Sequence, residues 1–533
     1  MYQFCIAIFL SLSFLIFKLR NVGCRPKDYP PGPPTIPILG NLHLMPKTKL
    51  HEQFKIWGEE YGPVYSLILG TSVMIVLSSD QAIKDLLDKR SNIYSSRPGA
   101  YIPNRMSGGK RMALMEYGKL WRSIRSHMHE HLSITASKSY VPYQDLETRS
   151  LLVGLLNTPD HWIDHLRLLN SSTMTQMLFG FRTTDLDDAK MHQLYTGFGE
   201  FGELFMTPAA QLLDCFPLLQ WLPDALVPIK RKATEHHIKE KELYLRHWMT
   251  AKEGVKAGTI APCIAIDFCA SQAKENFSDD LTAYIISTML EAGSDTTWSE
   301  ILGWVQAMVL FPSVAKTAQE EIDRVCGERL PTLDDEPQMQ YIRGCVKESL
   351  RFMPTTVMGV PHAVIRDDMY MGWRIPKDAS VVMNVWGMHN DPSRYPNPRT
   401  FDPTRYTNDT QTAYEAAVNP DSSKRDHFIF GAGRRICAGL HIAERTMFLS
   451  ISRLLWAFNF ELPEGETTES EDLTEGLLVH PRHVPVRITV RSEERTQAVR
   501  REWEAVRGKL DESGQWKSVP EGMFARKVGL AEM

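Results

Sequence analysis

The chain opens on an uncharged run, Tyr2 to Phe17 (YQFCIAIFLSLSFLIF), followed at once by Lys18, Arg20, Arg25 and Lys27. As a helix this run reaches about 24 Å, short of the roughly 30 Å of bilayer hydrocarbon unless Leu19 and snorkelling of Lys18 and Arg20 extend it. The basic residues follow the run instead of preceding it, and no small-residue cleavage site comes after. Both points favour an uncleaved transmembrane anchor at residues 1–20 over a secretory signal, with the rest of the chain in the cytosol. A shallow interfacial helix is the other reading of the same run. Tyr29-Pro-Pro-Gly-Pro-Pro34 cannot be helical, so residues 21–40 read as a basic, proline-rich linker.

From residue 41 to 490 apolar positions recur mostly at i, i+3 and i+4, the period of a helix with one buried face. Strand-like stretches are short: Val64–Leu77, broken by a Gly70-Thr71 turn, a region around Met369–Val385, and one near Val484–Val490. The expected fold is mainly α, a large multihelical body with small β-sheets. No repeat or linker-like break divides residues 41–490, which read as one unit. After Ser492 the sequence EERTQAVRREWEAVRGKLDESG is a charged helical pattern, and residues 491–533 read as an appendage with a loose end.

One predicted helix stands apart. Ser278 is a favourable N-cap with Asp279 and Asp280 in the first turn, and apolar spacing continues to Phe311, where Pro312 stops it. Such a helix is about 50 Å long. Midway it carries Ala292-Gly-Ser-Asp-Thr-Thr297, polar and glycine-bearing, which predicts a kink at a ligand or active site.

Composition narrows the chemistry. Lys and Arg number 60 against 64 Asp and Glu, a net charge of −4 that argues against nucleic acid as a partner. The 8 cysteines form no C-x-x-C pair and are too sparse for a disulfide scaffold. His127-Met-His-Glu-His131 puts two imidazoles on one helix face and the third elsewhere, so a metal site is not expected. Cys437 differs from the other cysteines. It lies in Phe430-Gly-Ala-Gly-Arg-Arg-Ile-Cys-Ala-Gly439, just before a helical pattern beginning at Leu440. There the helix dipole, free N–H groups and Arg434/Arg435 favour thiolate over thiol.

The pattern Phe430, Gly433, Arg435, Cys437, Gly439 resembles the haem-ligand loop of the cytochrome P-450 family. Four further motifs agree in order: Trp121-Arg-Ser-Ile-Arg125, Ala292-Gly-x-Asp-Thr-Thr297, Glu348-Ser-Leu-Arg351 and Phe401-Asp-Pro-Thr-Arg405. Thr404 departs from the glutamate often found before that arginine. The resemblance covers about residues 30–490 and implies a haem-thiolate fold binding haem b. Cys437 would be the axial ligand of the iron, in the loop shaped by Phe430, Gly433 and Gly439. Asp295 and Thr296 would be the proton-relay pair. Trp121, Arg125, His362 and Arg435 would hold the propionates, and Glu348, Arg351 and Arg405 would form a buried structural network.

The activity implied is a monooxygenase. Two electrons would come from NADPH through a membrane reductase, with cytochrome b5 as a further donor. One atom of O2 would enter a small apolar organic molecule such as a terpenoid, polyketide or aromatic. The motif wording is similar to fungal microsomal members of specialised metabolism, which implies the endoplasmic reticulum membrane with the catalytic domain facing the cytosol. Candidate lining segments are Pro98–Glu116, Phe201–Cys215, Ile285–Thr296, Thr355–Val360 and Glu475–Val479. Lys119, Arg122, Arg125, Lys424 and Arg434 are candidates for a basic docking face toward an acidic electron donor. Two other readings share the cofactor loop: an isomerase or dehydratase that needs no O2, and a non-catalytic haem-binding sensor.

Overall fold

The computed structural model describes residues 21–185 and 187–523. The expected anchor at residues 1–20 lies outside the described residues; among those described, no single helix is long and apolar enough to cross a membrane. The twelve described helices of twelve or more residues are α1 (Leu50–Tyr61), α2 (Lys119–Leu132), α3 (Val141–Asn157), α4 (Trp162–Phe179), α5 (Ala189–Met206), α6 (Pro228–Ala257), α7 (Ile264–Glu275), α8 (Asp279–Leu310), α9 (Pro312–Cys326), α10 (Gln340–Phe352), α11 (Leu440–Ala457) and α12 (Glu493–Arg507). The strands are short and fall largely where alternation placed them. They are β1 (Val64–Leu69), β2 (Ser72–Leu77), β3 (His362–Ala363), β4 (Asp368–Tyr370), β5 (Trp373–Ile375), β6 (Ser380–Met383), β7 (Phe458–Glu461) and β8 (Arg487–Val490).

β1 and β2 form the expected hairpin, its turn at Gly70 with φ +63°. β2 continues into a four-stranded sheet in the order β1-β2-β6-β3, with β2 and β6 parallel. β4 pairs with β5, and β7, which alternation did not mark, pairs with β8.

α8 is the axis of the fold. The Ser278 hydroxyl accepts the Leu281 N–H at 3.1 Å, capping the first turn as the sequence requires, and Pro312 starts α9 at 105° to it. α8 packs on α4, α6, α10 and α11, so most of its surface is buried and its apolar positions run all round instead of forming one stripe. The main core gathers Trp304, Ile301, Met308, Cys345, Phe352, Ile451 and Trp456 from α8, α10 and α11.

Both flanking segments lie on this body. Arg25 donates to the carbonyls of Gly32 and Pro33 at 2.8 Å and of Ser66 at 3.0 Å, laying the proline stretch along β1 instead of leaving it a free spacer. At the other end α12 packs on α3, with Val506 and Leu510 against Leu146. The Trp516 indole N–H reaches Gln176 at 2.7 Å, and Gln515 bonds both main-chain groups of Arg182.

Candidate active site

Three lengths of chain meet around Cys437. The 425–439 loop turns back on itself, with the Cys437 N–H donating to the Phe430 carbonyl at 2.8 Å. Gly433 has φ +59°, and a Cβ there would stand 2.0 Å from the Leu87 carbonyl oxygen, so no larger residue fits. Its N–H donates to Asp88 at 2.7 Å, tying the loop to the 84–89 turn. Gly439 precedes α11, and a Cβ on it would come within 4.0 Å of the Cys437 sulfur. The Phe430 ring packs on His427 and on the main core.

Cys437 is enclosed by protein, yet its side chain remains accessible, so it faces internal space. Burial pushes its thiol up, while the N–H groups of Gly439 and Leu440 and the charge of Arg125 pull it back toward thiolate. The nearby cation is thus Arg125. Arg434 points outward to the Tyr117 hydroxyl, and Arg435 turns aside to the carbonyls of Ser95 at 2.8 Å and Met115 at 2.7 Å.

Beside the sulfur lies a cluster of cationic and N–H donors without an acidic partner. Arg435 stacks 4.0 Å from the Trp121 ring centre, and the buried Trp121 indole N–H has no acceptor. Arg125 donates to the Ile436 carbonyl at 2.6 Å. His362 accepts no proton beyond neutrality: burial, then Arg97, push it down to about 3, and its Nδ1–H donates to the Tyr94 carbonyl at 2.7 Å. Arg97, which the motifs did not mark, belongs to the same cluster. It is buried, donates to the carbonyls of Ala113, Val360 and Pro361, and faces no carboxylate; burial and then Arg435 push it down to about 9. Three guanidiniums held only by carbonyls leave positive charge unbalanced in a low-dielectric site. The two propionates of haem b are anions this donor set would fit, and Cys437 would supply the sulfur ligand of its iron.

α8 presents Ala292, accessible in the middle of a buried helix. α8 remains helical through the polar segment. The Thr296 hydroxyl donates back to the Ala292 carbonyl at 2.6 Å, which satisfies it without breaking the helix. Gly293 has a packing reason, since a Cβ there would fall 2.4 Å from the Met174 sulfur of α4. Burial raises Asp295 to about 6, against the opposing charge of Arg167 and with help from Glu291. Met112, Met115, Ile285, Met289 and Ala438 share one apolar cluster, so the 98–116 loop, α8 and the cysteine loop form a common wall. Phe201 and Leu213 pack instead with Ile102 and Met106.

Away from the sulfur, Arg351 grips Glu348 with two bonds of 2.6 and 2.7 Å, and Arg405 reaches the same carboxylate at 3.3 Å. Lys119, Arg122 and Arg434 are exposed, the two arginines flanking the Tyr117 ring, whereas Lys424 lies beside the separate 421–423 turn. His127 and His131 pair with different carboxylates, Glu275 at 3.6 Å and Asp267 at 3.4 Å.

A model of the cytochrome P-450 family matches residues 30–487. The chain is 50% identical over 520 residues to the cytochrome P-450 monooxygenase virE of Hypocrea virens, covering 96% of this chain and 94% of that one. It is 49% identical over 526 residues to the monooxygenase fogE of Aspergillus ruber, covering 97% of each. A zebra fish cytochrome P-450 structure solved with abiraterone superposes with a TM-score of 0.65 at 20% identity, over 83% of this chain and 100% of that one, which shows the shared fold. With the motifs in order on one helical body, and relatives half identical along nearly their whole length, the chain belongs to the cytochrome P-450 family and is a haem b monooxygenase.

Proposed function

We propose that the chain oxidises a small apolar metabolite in fungal specialised metabolism, using O2 and electrons drawn from NADPH through a membrane reductase. The observation that carries this reading is an accessible, enclosed Cys437 in a loop that shares an apolar wall with α8, the helix bearing Asp295 and Thr296. The names of the fungal relatives place it among monooxygenases. When bound, haem supplies O2 activation by an iron whose thiolate ligand favours O–O cleavage.

The chain's own residues do the rest. Cys437 is held by the Phe430 carbonyl, and Arg125 with the start of α11 offsets part of the burial that disfavours its thiolate. Arg97, Arg125, Arg435 and Trp121 would orient the propionates, while the neutral His362 has its one N–H committed to the Tyr94 carbonyl and none left to donate. Asp295 gives up a proton through the Thr296 hydroxyl, which must rotate off the Ala292 carbonyl to pass it on. As an acid Asp295 works only when protonated, so its supply declines as pH rises through about 6. The Met-rich wall excludes water and suits an apolar guest.

Feeding extracts of a deletion strain to yeast microsomes that hold the chain and a fungal reductase tests the assignment. The expected product gains one oxygen atom, labelled when the gas is isotopic O2, and needs NADPH. Turnover without oxygen would point to the isomerase or dehydratase reading instead. In the same assay Thr296→Ala is expected to keep its haem but to send most electrons to peroxide, about a tenfold or greater loss of product per NADPH. Full coupling in that variant would remove the relay.

Membrane attachment is the second part of the proposal. Its support is an exposed apolar patch: Leu218 is 84% and Trp221 88% accessible, with Leu226 at 70%. The Gly70-Thr71 turn joins this loop to the exposed Ile36, Ile38 and Leu39, its N–H groups donating to the carbonyls of Leu39 and Cys215. Ile38 in turn donates to the Val22 carbonyl, so the patch lies beside the start of the described chain. Deleting residues 1–28 is expected to weaken vesicle binding, and adding Leu218→Ser with Trp221→Ser to abolish what is left. Retention of tight binding by that triple change would show another surface in charge.

A further inference from the structure

A cavity of about 460 Å³ opens between α5 and α6 and reaches down to α8. Its mouth is at Glu200, 47% exposed, and its floor is Glu291, 3% exposed. His192, His236, Lys239 and Glu240 line the way. The floor is an unusual group of charges. Arg111, from the loop after the Tyr101–Ser107 helix, bonds Glu291 at 2.5 Å through one guanidinium nitrogen and Glu240 through another. The Tyr244 hydroxyl donates to Glu291, His236 lies 3.1 Å from Glu240 and 3.5 Å from Glu200, and one Glu240 oxygen has no partner.

Three carboxylates, Glu200, Glu240 and Glu291, meet one guanidinium and the His236 imidazole, so even with His236 charged one negative charge is left over, and Glu240 and Glu291 are almost fully buried. Burial makes that arrangement costly, so the group relieves it by holding one proton. Burial drives Glu291 upward against Arg111. At Glu240 burial acts in the same sense, but the His236 hydrogen bond and Arg111 outweigh it and keep that carboxyl low. Of the two buried carboxyls, Glu291 is therefore the one that takes up a proton more readily. Glu291 precedes Asp295 by one helical turn, on the same face of α8, where side chains four apart meet. Also near this pair are Arg167 of α4 and Tyr195 of α5 beside Asp295, Tyr284 of α8, which senses Glu240 and Arg111, and His192, Lys239, Glu242 and Arg246 along the cavity.

We propose that Glu291, set among Arg111, Glu240 and His236, is a proton-loading residue that draws from the water of this cavity and recharges Asp295. The Glu291 O–H bond breaks and an O–H bond forms on the Asp295 carboxylate, directly or across one water. Glu291 is left as a carboxylate paired with Arg111, until a solvent proton arriving past Glu200 and His236 restores it. This rests on the relay reading of Asp295 and adds the source of its protons.

The test uses the full-length holoenzyme in vesicles and begins with a readout that needs no substrate. Infrared spectra of the resting protein are expected to show a protonated carboxyl band that shifts at once in D2O, because the cavity is open. Glu291→Gln, which keeps size and hydrogen bonding, should lose that band with haem content and unfolding temperature unchanged. Glu240→Gln should lose it too, since Arg111 then balances an ionised Glu291. With the substrate found as above, Glu291→Gln should form roughly tenfold less product per NADPH and show a larger solvent isotope effect, and Glu291→Asp should recover part of the loss. A band that survives in both glutamine variants overturns the proposal whatever the substrate proves to be. Unchanged coupling and isotope effect in Glu291→Gln overturn it as well, leaving the cluster a structural tie. If Thr296→Ala alone stays fully coupled, the relay reading has failed and not the loading site, which the infrared band decides separately.

Discussion

Cys437→Ser is expected to yield a folded protein that lacks the thiolate-type absorption of the reduced carbon monoxide complex and has no monooxygenase turnover. Serine replaces a sulfur by a smaller oxygen and leaves the turn intact. That turn is fixed by main-chain contacts the side chain does not make: Cys437 N–H to Phe430, Gly433 N–H to Asp88, and Arg425 to the Gly431 carbonyl. What is lost is the soft anionic donor. Burial opposes any charge at this position, so only a group ionised readily by Arg125, by the Gly439 and Leu440 N–H groups and by the iron itself holds one there. A serine hydroxyl is far too weak an acid for that. Haem titration followed by reduced carbon monoxide spectra reads the outcome, and persistence of the thiolate-type band in the variant would refute Cys437 as the ligand.

The same loop shows what local pattern can carry. Cys437 and Gly439 lie in a tight turn at a helix start, which local spacing writes directly, whereas Gly433 is demanded by Leu87 and Asp88 far off in sequence. The length of α8 was legible for a like reason, since Ser278 and Pro312 mark its ends by their own chemistry. Its polar middle was legible as an interruption of the apolar pattern, and the helix runs on through it. Thr296 bonds back to the preceding turn, and Gly293 yields room to Met174, a residue more than a hundred positions earlier. Arg97 escaped notice because nothing near it in sequence announces a buried cation; its significance comes from Arg435 and His362, brought beside it only by the fold. β7 is four residues whose partner lies beyond a long loop, and Trp516 docks on Gln176 from the other end of the chain. Long-range pairing of this kind leaves no periodic trace.

Arg351→Leu is expected to have an effect as large as that at Cys437, but through stability. The Glu348 and Arg351 side chains are 0% exposed, and their paired bonds are joined on the carboxylate by Arg405, by the Asp402 N–H and by the Tyr406 hydroxyl. Removing the guanidinium leaves a carboxylate in the core with only part of its charge met, a loss of about 3–5 kcal/mol. A folded domain has about 5–15 kcal/mol in total, so the variant should accumulate as insoluble or haem-free protein. The damage reaches the active site by a short path. The Arg351 carbonyl accepts the Nδ1–H of His389 at 3.0 Å, and His389 Nε2 accepts the Phe428 N–H at 2.9 Å, at the head of the cysteine loop. Burial, then the nearby His427, holds His389 neutral, which this two-way bonding requires. Because the penalty comes from the charge left behind, Glu348→Leu combined with Arg351→Leu should be less harmful than Arg351→Leu alone. Haem content and thermal unfolding of both variants decide the matter. A single variant with wild-type haem loading and unfolding temperature would mean that the buried pair is not what holds the loop.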